Sequence, residues 1–167
     1  MDGYIGLGSN LGEPVSELRA GASELLDRGV AITRRSSLYR TEPVDVAAAA
    51  ESDAWFINAV FEINFAGSAP ELLDVCRVIE NARGRERKVE NGPRTLDLDL
   101  LLAGELVVSS EDLTIPHPRL HLRRFVLVPM VEIAPDVVHP LKKRTMRELL
   151  AACDDKSAVF LFHGVTA

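Results

Sequence analysis

The stretch Gly92-Pro93-Arg94-Thr95-Leu96-Asp97-Leu98-Asp99-Leu100-Leu101-Leu102 joins a turn signal to a strongly apolar run that two carboxylates interrupt. Side chains alternate between the two faces of a β-strand, so Asp97 and Asp99 are expected to project from the same face. The other face then carries three leucines that are expected in the core, Leu96, Leu98 and Leu100. The stretch therefore predicts a strand with one acidic face and one apolar face.

Paired carboxylates next to a leucine-rich core need a physical explanation. Residues two apart on one strand face lie about 6.5–7 Å apart, and two carboxylates at that spacing repel one another unless a cation lies between them. Mg²⁺ prefers oxygen ligands and is commonly bound by one or two carboxylates together with substrate phosphates. An Asp-x-Asp pattern alone is more typical of a half-exposed strand, so the metal interpretation depends on the rest of the chain.

Length and composition are those of an ordinary globular protein. The 167 residues are 47% hydrophobic and 26% charged, which predicts a single domain over residues 1–167. The two cysteines lack metal-ligand spacing and are expected to be buried thiols. The sequence shows no leader of basic and apolar residues and no apolar run near the about 20 residues that cross a bilayer. We therefore expect a cytoplasmic protein that has no contact with membranes.

The distribution of charge points to a small anionic ligand. A net charge of −6 argues against a general nucleic-acid binder. The basic residues nevertheless form two clusters, one with Arg83, Arg85, Arg87, Lys88 and Arg94, and one with Arg119, Arg123 and Arg124. A basic pocket on an acidic protein suits a nucleotide better than a duplex. The sequence contains no P-loop and no complete dinucleotide-binding fingerprint.

The order of apolar patterns predicts the fold class. Strands are expected at about 4–8, 30–39, 55–65 and 97–102, with helices from Pro14 to about Gly29 and from the capping box at Ser68. This βαββαβ order predicts a ferredoxin-like α+β fold, an antiparallel sheet with both helices on one face. We expect residues 105–108 to form a hairpin with the strand at 97–102. Beyond this core, we expect helices at about 123–133 and after Thr145, and a strand at 158–162.

Asn58 lies in the middle of the strand predicted at 55–65 and on the same face as Phe56. An amide both donates and accepts hydrogen bonds, so it can recognise the edge of a flat heterocycle while an aromatic ring stacks on its face. An edge asparagine that faces water explains the pattern equally well from these residues alone.

Six segments of the chain together resemble the 6-hydroxymethyl-dihydropterin pyrophosphokinase family. The resemblance spans Tyr4 to about Pro135, and its motifs are Gly6-Leu7-Gly8-Ser9-Asn10-Leu11-Gly12, Ser37-Leu38-Tyr39-Arg40-Thr41, Phe56-Ile57-Asn58, Gly92-Pro93-Arg94-Thr95-Leu96-Asp97-Leu98-Asp99, Pro116-His117-Pro118-Arg119 and Arg123-Arg124-Phe125-Val126-Leu127. Members of this family act in folate biosynthesis. They transfer the pyrophosphoryl group of ATP to the hydroxymethyl group of the pterin and release AMP.

The resemblance implies a set of site residues, two Mg²⁺ ions and ATP as co-substrate. Asp97 and Asp99 would be the metal ligands, and catalysis would also involve Arg85 and Arg94. The nucleotide would contact Arg77, Glu80, Arg85, Arg87, Arg94, Leu100, Leu113, Thr114, His117 and Arg123. The pterin would contact Thr41, Pro43, Val44, Phe56, Asn58 and Phe125. The expected partners are these small molecules alone, with no nucleic acid, membrane or obligate protein partner.

The chain departs from the family pattern at two places, and two other classes of protein share parts of it. Val89-Glu90-Asn91 contains no aromatic residue where members often carry a Trp, and Arg77 stands where some members have Gln. A two-metal nucleotidyl-transferase or cyclase palm would release pyrophosphate and would not use a pterin-recognition set. A non-catalytic ligand-binding or RNA-binding module would show aromatic and basic residues on its central strands, and here a strand carries two aspartates.

Overall fold

The computed structural model describes residues 1–44, 55–83 and 95–163. Its strands are β1 (Asp2–Ser9), β2 (Val30–Arg35), β3 (Tyr39–Thr41), β4 (Phe56–Phe65), β5 (Asp97–Ala103), β6 (Val108–Ser109), β7 (Thr114–Ile115) and β8 (Val159–Leu161). Its α-helices are α1 (Pro14–Asp27), α2 (Ala69–Ala82), α3 (Arg124–Ile133) and α4 (Met146–Ala151), and a 3₁₀ turn covers Leu120–Leu122.

The main sheet has the strand order β5-β1-β4-β3-β8, and β2 also pairs with β4. Each of these pairings is antiparallel. The α+β class with an antiparallel sheet, predicted from the order of the apolar patterns, is therefore confirmed. The helices and the strand predicted beyond residue 120 are also present, as α3, α4 and β8.

The strand predicted at 30–39 is divided into β2 and β3 at Ser36. The Ser36 hydroxyl accepts a hydrogen bond from the backbone N–H of Val60 at 2.9 Å, and the Ser36 N–H donates to the Val60 carbonyl at 2.9 Å. The Ser36 hydroxyl thus takes the place of the backbone carbonyl that would accept from the Val60 N–H in a regular antiparallel ladder. A buried serine can end a strand locally in this way, which an apolar pattern does not reveal.

Each face of the sheet carries its own apolar core. On one face, alternate residues of β1 and β4, such as Ile5, Leu7 and Phe61, pack with α1 and α2. On the other face, Val60 and Leu101 pack with residues of α3 and α4. The predicted alternation of β5 is confirmed, because Leu96, Leu98 and Leu100 lie in the α1–α2 core while Asp97 and Asp99 are half-buried on the opposite face.

The capping signals read from the sequence define two helix starts. The Ser68 hydroxyl accepts from the Glu71 N–H while the Glu71 carboxylate accepts from the Ser68 N–H, and Thr145 and Glu148 form the same reciprocal pair before α4. Gly29 follows α1 with a φ of +80°, a conformation that glycine adopts without steric cost. No helix within the described ranges is both long and apolar enough to cross a membrane.

The predicted hairpin between β5 and residues 105–108 is wrong. Val108 and Ser109 instead pair with Ile115 and Thr114 in a separate two-stranded sheet. β5 is an end strand of the main sheet, and two of its backbone groups form hydrogen bonds to residues outside the sheet. The Leu98 N–H donates to the Glu80 carboxylate at 2.9 Å, and the Leu101 carbonyl accepts from the His117 N–H at 2.9 Å. These bonds occupy backbone groups that a hairpin partner would otherwise use.

Candidate active site

A pocket lies on the face of the sheet that carries Asp97 and Asp99, between the strands and the beginning of α3. It contains about 750 Å³ of empty space, counting the part open to solvent. The residues that line it are Gly6, Leu7, Gly8, Thr41, Glu42, Val44, Phe56, Asn58, Ala59, Val60, Asp97, Asp99, Leu101, Arg123, Phe125 and Val126. Both acidic and aromatic residues of the predicted site therefore meet in one pocket.

Two glycines of β1 lie beside the two aspartates. Gly6 is paired with Asp99 and Gly8 with Asp97 in the ladder between β1 and β5. A Cβ atom built on Gly8 would lie 2.6 Å from the Asn58 Oδ1, closer than atoms can approach, whereas one built on Gly6 would make ordinary contacts of 3.5 Å with Leu101. The absence of a side chain at position 8 is therefore required for the observed position of the Asn58 amide.

The Asn58 side chain is fixed by a neighbouring strand. Its Nδ2 donates to the Thr41 hydroxyl at 2.7 Å, and the exposed fractions of Asn58 and Thr41 are 8% and 1%. A buried polar group without a hydrogen-bond partner lowers the stability of the folded chain, so this bond favours one orientation of the amide. β3 carries Thr41 and β4 carries Asn58. The orientation of the amide consequently depends on the pairing of these two strands.

The beginning of α3 contributes Arg123, the N-cap residue, and Phe125 to the pocket. The Arg123 guanidinium lies 5.4 Å from the centroid of the Phe125 ring, within the distance of a cation–π contact. At the start of the helix the Arg124 N–H, one of the N–H groups that a helix leaves without an internal partner, donates to the Asp155 carboxylate at 2.8 Å. Phe56 and Phe125 both line the pocket and provide it with two aromatic rings.

His117 is half-buried near Asp97 and Arg123. Burial, and then the positive charges of Arg123 and Arg119, lower the pKa of the His117 imidazole to about 4. The ring is therefore neutral near pH 7. Its Nδ1 accepts a hydrogen bond from the Arg119 N–H at 3.2 Å, so the proton of the neutral ring lies on Nε2, which can donate to an anionic ligand.

Of the predicted nucleotide contacts that the structure describes, Arg123 alone lines this pocket. Leu100 and Leu113 are buried in the α1–α2 core, Thr114 is exposed, and Glu80 is buried with its carboxylate on the Leu98 N–H. Arg77 forms ion pairs with Asp74 and Asp112 at 3.9 and 3.7 Å. Arg85, Arg87 and Arg94 fall outside the described residues. Pro43, a predicted pterin contact, is half-buried between Glu42 and Val44, which line the pocket.

Glu132 is a structural contributor that the sequence did not indicate. Its carboxylate accepts hydrogen bonds from the Ser37 N–H and hydroxyl and from the Tyr39 hydroxyl, at 2.7 to 3.1 Å. Burial and this carboxylate raise the pKa of Tyr39 to about 12. The contacts connect α3 to the segment that leads into β3. Residues 37 and 132 are far apart in the sequence, so no local pattern could have predicted the hydrogen bonds between them.

The donor set suits a hard cation that a substrate helps to bind. In the part of the chain that the structure describes, no group of three or more His, Cys, Asp and Glu side chains could hold a metal ion. Asp97 and Asp99 supply two carboxylates to an open pocket with an arginine beside them. Mg²⁺ is typically bound by one or two carboxylates together with substrate phosphates, so this pair fits Mg²⁺ that arrives with a nucleotide.

Comparison with known proteins identifies the family. A family model described as 7,8-dihydro-6-hydroxymethylpterin-pyrophosphokinase (HPPK) matches residues 4–135. The chain belongs to the HPPK family. It is 42% identical over 135 residues to the 2-amino-4-hydroxy-6-hydroxymethyldihydropteridine pyrophosphokinase of Bacillus subtilis, which covers 80% of this chain and 78% of that protein. HPPK proteins are pyrophosphokinases, a class of transferase, and this chain is an enzyme of that class.

Two further matches are to much longer proteins. The chain is 35% identical over 138 residues to the folic acid synthesis protein fol1 of Pneumocystis carinii, covering 83% of this chain and 18% of that protein. The crystal structure of Plasmodium falciparum HPPK-DHPS wild type aligns with a TM-score of 0.68 at 15% identity. That alignment covers 90% of this chain and 44% of the other, so this chain spans less than half of it, and at this identity the likeness concerns the fold alone.

Proposed function

We propose that this chain transfers the pyrophosphoryl group of ATP to 6-hydroxymethyl-7,8-dihydropterin, in folate biosynthesis, and releases AMP. The observation that carries the proposal is that Asp97 and Asp99 line the same pocket as Asn58, Phe56 and Phe125. One pocket thus combines ligands for a metal–phosphate group with residues suited to a flat heterocycle. Membership of the HPPK family supports the same reaction, and we propose residues 1–167 as one pyrophosphokinase domain.

The pterin is proposed to bind beside Asn58. The Asn58 amide has a donor and an acceptor, as the hydrogen-bonding edge of a pterin requires. The rings of Phe56 and Phe125 would contact the two faces of the heterocycle, which aromatic side chains favour. Thr41 would keep the amide oriented, while Pro43 and Val44 would contact the ring edge.

ATP is proposed to bind with its phosphates between the aspartates and the basic residues. Arg123 and the neutral His117, with its proton on Nε2, would donate to phosphate oxygens from the α3 side. Arg85, Arg87 and Arg94 are proposed to do so from outside the described ranges, with Arg85 and Arg94 acting in catalysis. The nucleotide would also contact Arg77, Glu80, Leu100, Leu113 and Thr114.

Asp97 and Asp99 are proposed to bind two Mg²⁺ ions that neutralise negative charge on the phosphates. In the reaction, the hydroxymethyl oxygen of the pterin forms a bond to the β-phosphorus of ATP. The bond from that phosphorus to the oxygen bridging it to the α-phosphorus breaks, AMP leaves with this oxygen, and the hydroxymethyl proton is released. Such a transfer depends mainly on positioning and electrostatic stabilisation, so the contribution of the chain is to align the two substrates.

The experiment that tests this proposal is a product analysis with ATP, Mg²⁺ and 6-hydroxymethyl-7,8-dihydropterin. We expect one AMP for each pterin pyrophosphate, with neither product formed when the pterin is omitted. Formation of ADP would indicate transfer of a single phosphoryl group. Release of pyrophosphate would indicate a nucleotidyl-transferase, and either result would contradict the proposal.

A further inference from the structure

Residues 154–162 lie beyond residue 135, where the family match ends. They nevertheless contact both sides of the pocket described above. One contact is made to the first residue of α3, and the others are made to β3 and to the residue that follows it.

Asp155 binds the beginning of α3. Its Oδ2 accepts the hydrogen bond from the Arg124 N–H at 2.8 Å, and Arg123, the residue at the N-cap, makes no side-chain capping bond. The Asp155 Oδ1 accepts from the Ser157 N–H at 2.8 Å, which fixes the carboxylate. Although burial opposes ionisation, the hydrogen bonds from Ser157 and Arg124 keep the pKa of Asp155 below its ordinary value. A residue distant in sequence thus caps this helix.

The residues that follow Asp155 bind the opposite side of the pocket. The Ala158 carbonyl accepts from the Glu42 N–H at 3.0 Å, and the Ala158 N–H donates to the Glu42 carboxylate at 3.0 Å. From there β8 continues as the antiparallel partner of β3, which carries Thr41. Only two residues, Lys156 and Ser157, lie between Asp155, which contacts α3, and Ala158, which contacts Glu42.

We propose that Asp155 is a positioning residue for the pterin half of the pocket. Through Asp155 and Ala158, one short segment fixes α3, with Phe125, relative to β3, with Thr41. Because Thr41 orients Asn58, this segment sets the Phe125 ring relative to the amide proposed to recognise the edge of the pterin. The inference rests on the proposed function for the identity of the ring, whereas the contacts themselves do not depend on it.

The test compares Asp155→Ala and Asp155→Asn with Asp154→Asn. Asp154 is the exposed neighbour of Asp155. Its variant therefore removes one negative charge while the contact from Asp155 to α3 stays intact. We expect Asp155→Ala to raise KM and Kd for the pterin about tenfold, the effect of losing a charge-assisted hydrogen bond. KM for ATP should rise less, because Arg123 is one of several residues proposed to bind the phosphates. Asp155→Asn keeps one acceptor oxygen and should restore part of the loss, while Asp154→Asn should match the wild type.

Hydrogen exchange of the amides of residues 124–127 gives a readout independent of turnover, and it should be faster in Asp155→Ala only. A parallel rise of KM for both substrates, or unchanged exchange, would overturn the positioning role. Direct binding of 6-hydroxymethylpterin separates this inference from the proposed reaction. If the wild type binds the pterin without forming AMP, the reaction is wrong and the Kd ratio still tests Asp155; if it does not bind the pterin, both are wrong.

Discussion

The Asn58 amide nitrogen donates to the Thr41 hydroxyl at 2.7 Å across the pairing of β4 with β3. Both side chains are almost completely buried, so the bond is made without competition from bulk water. A buried donor that loses its acceptor is costly, and a mobile amide would recognise a heterocycle poorly. The recognition of the pterin in this account therefore depends on a threonine that need not touch the substrate.

Thr41→Val tests this relationship with a side chain of nearly the same shape. We expect KM for the pterin to rise about tenfold with kcat less affected, because the free energy of one buried hydrogen bond is lost from the orientation of Asn58. Steady-state kinetics with each substrate varied in turn measure the effect. Thr33→Val is the matched control, since Thr33 is exposed on β2. An equal change in both variants would exclude a specific role for Thr41.

Gly8→Ala and Gly6→Ala form a second matched pair. The added Cβ at position 8 would lie 2.6 Å from the Asn58 Oδ1, whereas at position 6 the nearest contacts are 3.5 Å. We expect Gly8→Ala to displace the amide and weaken pterin binding more than tenfold, on the order of the loss of a bidentate polar contact. Gly6→Ala should bind the pterin more nearly as the wild type does. Equilibrium binding of the pterin decides between them, and equal affinities would contradict the role assigned to Asn58.

Asp97→Asn and Asp99→Asn test the acidic pair. Each variant keeps the shape of the side chain but removes a negative charge that the proposed Mg²⁺ ions require. We expect turnover to fall by at least about a hundredfold while the fold persists, since both residues are half-buried on a strand face that opens to the pocket. Circular dichroism and product formation are the measurements, with Asp27→Asn, an exposed site at the end of α1, as control. Activity near the wild-type level in either variant would remove the metal assignment.

The stability of the chain should fall on mild acidification because of His121 and His139. The rings lie 5.9 Å apart and edge to face, and His139 is buried with its Nδ1 accepting from the N–H groups of Leu141 and Lys142. Burial lowers the pKa of both imidazoles, assisted by the charge of Lys142 and, for His139, by His121. Because the unfolded chain then binds protons more readily, stability present above about pH 6.5 is lost as the pH falls below it.

His139→Asn should lose less stability than the wild type between pH 7 and pH 5, because an amide oxygen can accept the same backbone bonds and does not titrate. Urea unfolding at the two pH values measures the difference. His163→Asn, at an exposed position, should behave as the wild type does. If His139→Asn and the wild type lose stability equally, the buried pair does not cause the pH dependence.

Much of the fold follows from local patterns in the sequence. The alternation along 55–65 and 97–102 assigned Phe56, Asn58, Asp97 and Asp99 to their faces, and the capping boxes marked where α2 and α4 begin. These predictions succeed because neighbouring residues determine strand faces and helix caps.

The remaining features depend on contacts between distant residues. Ser36 ends a strand through Val60, and Glu80 bonds the edge of β5 instead of a hairpin partner. Asp155 caps α3 from 31 residues further along the chain. No local pattern marks such residues, since their role exists only once the sheet has brought the segments together.

In the proposed reaction, the β and γ phosphoryl groups of ATP are transferred to the pterin as one unit in the pocket of Asp97 and Asn58. Phosphorus-31 NMR of the reaction with ATP, Mg²⁺ and 6-hydroxymethyl-7,8-dihydropterin tests it most directly, because the signals follow each phosphorus of ATP. We expect the β and γ phosphorus atoms to appear as two coupled signals of a pterin pyrophosphate while the α-phosphorus becomes that of AMP. Appearance of ADP, or of free pyrophosphate with the α-phosphorus on the acceptor, would contradict it.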